Sequence, residues 1–155
     1  QLYVGTCLIE GTNLSEGRGT TKPFEWIGAP WLDGQWLATA FNKLNLLGMK
    51  ARPIQFEPIF SKYKGKVCNG IQLHLTNLNL EGKCCSISAT LYLLNLVKHQ
   101  YPDEFQFHET FFDRLVGSDK LRNTIEEGIS IDDLIEDWRQ QSLSFRQHCR
   151  PYLIY

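Results

Sequence analysis

The sequence predicts a mixed α/β (α+β) domain: a small mixed β-sheet formed mostly by the N-terminal half and covered by several α-helices, mostly from the C-terminal half. Three observations carry this. Apolar and polar side chains alternate with period two around residues 67–76. From Ser86 onward, apolar residues recur at helical spacing between caps and breakers. At 155 residues and 43% hydrophobic, the chain is long enough to close one core, so a single domain over 1–155 is expected.

The elements follow in order. Leu2 to Ile9 is a short apolar run, read as a buried strand that leads directly into the loop Ile9 to Phe24. Asp33 can cap a helix with Trp36, Leu37, Ala40, Phe41 and Leu44 on its apolar face, and Gly48 lies just past its end. Ile54 and Phe56 indicate a second strand, confined to an edge by Pro53 and Pro58. In the third, Val67, Asn69, Ile71, Leu73 and Leu75 alternate against Gln72, His74 and Thr76. Ser86 to His99 then reads as a mostly buried helix stopped before Pro102, and Thr110 to Val116 as a short one ending at Gly117. Ser118 caps a helix that ends near Gly128. Ser130, with Asp133 three residues on, resembles an acidic capping box for a last helix running to about His148.

Composition excludes several functions. No apolar run reaches the ~18 residues that a spanning helix requires, and no signal-peptide pattern opens the chain. The chain starts at Gln1 on a structured-looking run, which reads as a fragment of a longer protein. Residues 103–139 hold eleven Asp/Glu against four Lys/Arg, an imbalance expected of solvated helix faces. No basic stripe or RNA-binding motif accompanies it, so nucleic acid is not a predicted partner. Cys7, Cys68, Cys84, Cys85 and Cys149 are odd in number and form no CxxC, which argues against zinc. Adjacent Cys84 and Cys85 are poorly placed to bridge each other, and Cys7 reads as a small buried hydrophobe.

The polar chemistry concentrates in "IEGTNLSEGRGTTKPF", residues Ile9 to Phe24. Gly17 and Gly19 flank Arg18, so the backbone can turn its N–H groups inward as an anion-binding concavity while the guanidinium adds a planar fork of donors. The competing reading is that Arg18 pairs with Glu10 or Glu16 and holds the loop in shape. "FSKYKG", Phe60 to Gly65, is a second polar stretch whose Lys62 and Tyr63 are either hairpin decoration or part of a site. His74, opposite the apolar face of its strand, faces either a ligand or solvent. Trp26, Trp31 and Trp36 are five apart, neither helical nor strand spacing, and at least one is expected in the core.

With these stretches in view, "CLIEGTNLSEGRGTTKPFEWIGAPW", "FSKYKGKVCNGIQLHLT", "FDRLVGSDKLR" and the closing "YLIY" resemble the C-terminal domain of the exo-β-N-acetylmuramidase (NamZ- or YbbC-like) family of bacterial cell-wall turnover. The resemblance covers essentially the whole chain. One departure is Asn77, where the family leads one to expect an acidic residue.

The resemblance implies a two-domain hydrolase whose Rossmann-like N-terminal domain is absent here. Such an enzyme removes terminal N-acetylmuramic acid from peptidoglycan fragments in a cleft between the domains, with the main catalytic glutamate in the absent half. Glu10 is then the candidate second carboxylate, assisting protonation or holding a sugar hydroxyl. Arg18, followed by Lys62, is the candidate cation for the lactyl carboxylate of muramic acid. Asn13, Ser15 and Thr20 would bond hydroxyls or the acetamido group, with Glu16 and His74 completing the substrate-binding set. Tyr63 or a tryptophan would supply an apolar surface. The expected partners are muramic acid saccharides and the chain's own N-terminal domain, and the expected location is periplasmic or extracellular. Neither metal nor cofactor is implied. The alternative is a carbohydrate or cell-wall binding module without chemistry. Under either reading, Ile9 to Phe24 and Phe60 to Gly65 should lie on one edge of the sheet.

Overall fold

A computed structural model describes residues 1–76 and 86–154. Asn77, Cys84, Cys85 and Tyr155 lie outside the described residues, so the readings that fall on them receive no structural account.

The predicted α/β fold class holds, with one correction: among the described residues the sheet is wholly antiparallel rather than mixed. The described residues form helix α1 (Tyr3–Thr6) running into a 3-10 segment (Cys7–Gly11), strand β1 (Trp26–Ala29), helix α2 (Gly34–Lys43), and strands β2 (Met49–Phe56) and β3 (Cys68–Leu75). Helices α3 (Ser86–Gln100), α4 (Glu109–Val116), α5 (Lys120–Glu126) and α6 (Ile131–Cys149) follow, with a 3-10 turn at Arg150–Tyr152. The sheet order is β1-β3-β2 and both pairings are antiparallel. β3 is therefore central, and Pro53 sits in an edge strand as its missing N–H requires.

Leu2 to Ile9 is helical, which corrects the strand read from its apolar run. A short apolar run fits a buried strand and a buried helix equally, and packing decides here. Gly5 is buried against the start of α3, where an added Cβ would lie 2.1 Å from the Ser86 carbonyl oxygen. Thr6 Oγ1 donates to the Leu2 carbonyl four residues back at 3.1 Å, a bond that only helical geometry allows. β1 is the strand the sequence did not announce. It is four residues long and contains Gly28, and it exists because it pairs with β3 from Trp26↔Gln72 to Ala29↔Asn69.

α2 begins as expected: Asp33 Oδ1 accepts from the backbone N–H groups of Gln35 and Trp36 at 2.9 and 3.0 Å. Asn42 ties this helix to β2, donating to the Ala51 carbonyl and accepting from its N–H. Gly117 ends α4 in the left-handed conformation, as predicted. Ser130 stands at the N-cap of α6 but its side chain makes no capping bond, and the N-cap of α5 is Asp119 rather than Ser118.

The core joins Leu37 and Phe41 of α2, Ile71 and Leu73 of β3, Leu91, Leu94 and Val97 of α3, Phe112 of α4 and Leu121 of α5. Gln72 belongs to the polar face of β3 yet is buried, because Arg52 donates to its Oε1 through Nε and Nη2 while its amide reaches Glu25. None of Trp26, Trp31 and Trp36 is fully buried; Trp31 and Trp36 pack against the core from its margin. Cys7 is half-buried against the same core. Among the described residues, no helix is long and apolar enough to cross a membrane, and no group of His, Cys, Asp and Glu is arranged to hold a metal ion.

Candidate functional site

The loop from Thr12 to Phe24 is pinned at its first half and bent at its second. Thr12 bridges to Phe107, and Ser15 to Gly28, anchoring the loop to β1. Asn13 donates to the Glu104 carbonyl at 2.7 Å and accepts from the Gln106 N–H at 3.0 Å. Ser15 Oγ accepts from the Gly17 N–H, and Thr20 Oγ1 donates to the Gly17 carbonyl. Positive φ at Gly17, Gly19 and Phe24 turns the chain between these anchors. For phenylalanine a φ of 66° is strained, and such strain gathers at functional sites.

Inside the bend lies an ion cluster of four side chains. Arg18 Nη2 donates to Glu10 Oε2 at 3.0 Å, and Arg18 Nε lies 3.4 Å from Glu16 Oε1. Lys62 Nζ lies 3.0 Å from Glu16 Oε2, an ion pair without hydrogen-bond alignment. The same ammonium donates to the carbonyl oxygens of Ile9, Glu10 and Leu14 at 3.1, 3.1 and 2.9 Å. The Glu16 side chain is only 3% exposed, whereas that of Arg18 is 43% exposed. Burial pulls the Lys62 ammonium below its usual pKa, opposed by the attraction of Glu16. Two cations and two carboxylates balance, so the cluster is closed electrostatically. The guanidinium nonetheless keeps an open edge, since Nη1 makes no hydrogen bond among the described residues.

An apolar cleft of about 610 Å³ opens beside the cluster, with Arg18 and Thr20 on one side and Phe24, Trp26, Phe56 and Phe60 among its walls. Arg18 Cζ stands 4.9 Å from the Phe24 ring centroid, a cation–π contact that the strained backbone at Phe24 makes available. Behind Lys62, Tyr63 holds positive φ and its hydroxyl accepts from Trp31 Nε1 at 3.2 Å. Burial raises its phenol pKa. A second concavity, of about 570 Å³, lies between Asp33 and β2, but Asp33 is committed there to capping α2.

The two polar stretches therefore do meet: Lys62 crosses to the start of the loop, and the Ile59 N–H donates to the Gly19 carbonyl at 3.0 Å. Glu10, Glu16, Arg18 and Lys62 come together, with Thr20 lining the adjoining cleft. Asn13 and Ser15 are engaged in the loop's own anchoring. His74 sits on β3 opposite Lys50, and no hydrogen bond or ion pair joins it to the cluster among the described residues. Phe24, Phe56 and Phe60 escaped the sequence reading. Their placement depends on positive φ and strand pairing, for which residue spacing carries no signal.

The profile of the family described as "Exo-beta-N-acetylmuramidase NamZ, C-terminal" matches residues 1–155. The chain is 40% identical over 155 residues to the peptidoglycan beta-N-acetylmuramidase NamZ of Bacillus subtilis (strain 168), covering 99% of this chain and 37% of that protein. Two crystal structures of DUF1343 family proteins from Bacteroides fragilis NCTC 9343 share its fold. BF0371 has a TM-score of 0.87 at 25% identity, and BF0379 a TM-score of 0.66 at 30% identity. Each alignment covers 99% of this chain, against 41% and 40% of the respective structures. The chain thus spans about two fifths of the length of the relatives it matches. With the family profile matched from end to end, the chain belongs to the C-terminal family of NamZ exo-β-N-acetylmuramidases.

Proposed function

We propose that this chain is the substrate-binding C-terminal domain of an exo-β-N-acetylmuramidase, working with a Rossmann-like N-terminal domain outside the cytoplasmic membrane to release terminal N-acetylmuramic acid from peptidoglycan fragments. The observation that carries the proposal is the half-exposed Arg18, clamped between Glu10 and Glu16 with one guanidinium edge open beside an aromatic cleft. Muramic acid carries a lactyl carboxylate, and the open edge of a fixed guanidinium can receive it. The aromatic walls suit the apolar face of a pyranose ring. Glu10, held by Arg18 but not fully enclosed, is the carboxylate available to a sugar hydroxyl or to proton transfer. Lys62 spends its three donors on carbonyls and its charge on Glu16, so its part is to fix the loop.

The test is made in the full-length enzyme. Arg18→Ala should weaken handling of a muramic acid substrate by about 1.5 to 3 kcal/mol, roughly ten- to a hundredfold, with much less effect on the corresponding glucosamine substrate. Arg18→Lys should recover only part of the loss, since an ammonium lacks the two-pronged geometry. Equal losses on both substrates with a lowered Tm would reduce Arg18 to a brace and overturn its role in recognition.

A binding module without chemistry is the second reading, favoured by the electrostatic closure of the cluster. Glu10→Gln separates the two. A fall in kcat at unchanged stability supports a part in turnover, whereas weakened saccharide binding with unchanged kcat supports the module.

A further inference from the structure

Helix α6 is only half used by the fold. Its buried residues, Ile131 and Leu134, lie in its first turns, and residues 139–148 are exposed on every side. The exposed part is not uniformly polar. Trp138, Ser142, Phe145 and Cys149 follow one another at helical spacing, and Val116, Trp138, Gln141, Ser142 and Phe145 line a groove of about 410 Å³. Phe145 within the helix is 69% exposed, and beyond it Tyr152 is 85% and Ile154 95% exposed. Tyr152, Leu153 and Ile154, from the closing stretch that carries part of the family resemblance, take no part in the ion cluster or its cleft among the described residues. Side chains of this size standing in solvent along one stripe and its continuation mark a docking surface.

We infer that the Trp138–Phe145 stripe and the Tyr152–Ile154 tail form the surface on which the remainder of the full-length protein seats. The inference rests on the reading of this chain as one domain of a longer enzyme. What selects this occupant is length. The relatives extend well beyond the 155 residues matched here, which make up 37% of the Bacillus protein and 40 to 41% of the two crystal structures. The family itself is the C-terminal part of such proteins. A larger body belongs beside this chain, and the apolar stripe is a surface this fold leaves open to receive it.

Limited trypsin cleavage of the full-length protein tests this, because Arg139 and Arg146 lie within the segment and neither is followed by proline. Wild-type protein should be cut slowly at these two sites. Phe145→Ser, Tyr152→Ser and Ile154→Ser should each speed cleavage there by about tenfold or more, and Gln147→Ser on the opposite face should not. Rapid cleavage of the wild type, at the rate of the variants, would overturn the inference. Protection that disappears on dilution would also overturn it, since the occupant would then be a second copy. The readout is cleavage rather than turnover, so it stands whatever substrate the site takes.

Discussion

Lys62 shows how much one side chain can decide. A single ammonium satisfies three carbonyls of residues 9–14 and neutralises Glu16, whose carboxylate is nearly inaccessible to water. Removing it strands a buried charge, the costly half of any buried pair. Lys62→Met should therefore destabilise the fold by about 3 to 5 kcal/mol in urea unfolding, and adding Glu16→Gln should restore part of that loss. If the double variant is no more stable than the single, Glu16 is not the group left stranded. Cys68 gives a second residue-scale prediction, this time in pH. The thiol is fully buried, and burial pushes its pKa from 9.0 to about 11. The folded state holds this proton more tightly than the unfolded chain, so the contribution is complete below pH 9 and is lost as pH rises toward 11. Relative to Cys68→Ala, the wild type should lose on the order of 2 kcal/mol across that window. Comparison with the variant matters because Lys62, whose pKa is lowered, acts in the opposite sense: the cost of its buried charge is relieved as pH rises. Parallel stability curves for the two proteins would mean that the Cys68 thiol ionises no differently in the fold.

Among the elements, β1, β3 and α2 meet more closely than side chains permit. A Cβ at Gly70 would lie 2.0 Å from the Ile27 carbonyl oxygen, and one at Gly34 would lie 2.3 Å from the Gly70 carbonyl oxygen. Neither obstacle is the end of a flexible side chain, so relief requires the backbone of β1 or α2 to move. Gly70→Ala and Gly34→Ala should each cost about 1 to 3 kcal/mol or more, read as a lower urea midpoint. A near-neutral Gly70→Ala would mean that β1 is held less tightly than its register implies. This convergence also explains which elements the sequence reveals. α2, α3 and α4 declare themselves through their own periodicity and end signals, and Asp33 and Gly117 act as those signals indicate. β3 is legible from alternation, and β2 as an edge from Pro53. β1 is not, because four residues containing a glycine become a strand only through β3, and α1 is not, because Gly5 is chosen by contact with α3. The site divides in the same way. The composition of Ile9 to Phe24 and of Phe60 to Gly65 exposes its charges, and the glutamates beside Arg18 in sequence are the ones it pairs with in the fold. The strained turns at Phe24, Ser61 and Tyr63 that shape the cleft leave no trace in residue type.

For the molecule as a whole, the proposed reading assigns this chain one wall of a shared cleft, and its described carboxylates fit that assignment. Glycoside cleavage generally requires a proton donor at the leaving oxygen and a second carboxylate, or a group of the substrate, working across the sugar ring, with roughly 5 to 9.5 Å between paired carboxyl groups. Glu10 is accessible enough to serve in one of these roles. Glu16 cannot serve in the other: it is buried, tied to both Arg18 and Lys62, and drawn toward the same guanidinium as Glu10 rather than across a sugar-sized gap from it. Glu57, exposed in the lining of the cleft, forms no ion pair with the cluster among the described residues. Under the proposed reading, in which the chain supplies one wall of a shared cleft, the opposing group comes from the partner domain. The purified 155-residue chain should accordingly show no turnover of a fluorogenic muramic acid glycoside at concentrations where the full-length enzyme is readily measured. Circular dichroism and a cooperative thermal transition on the same sample would show that the inactive chain is folded. Turnover by the chain alone at a rate comparable with the full-length enzyme would place the complete catalytic set within these residues, and Glu10 would then have to act with a group of the substrate itself.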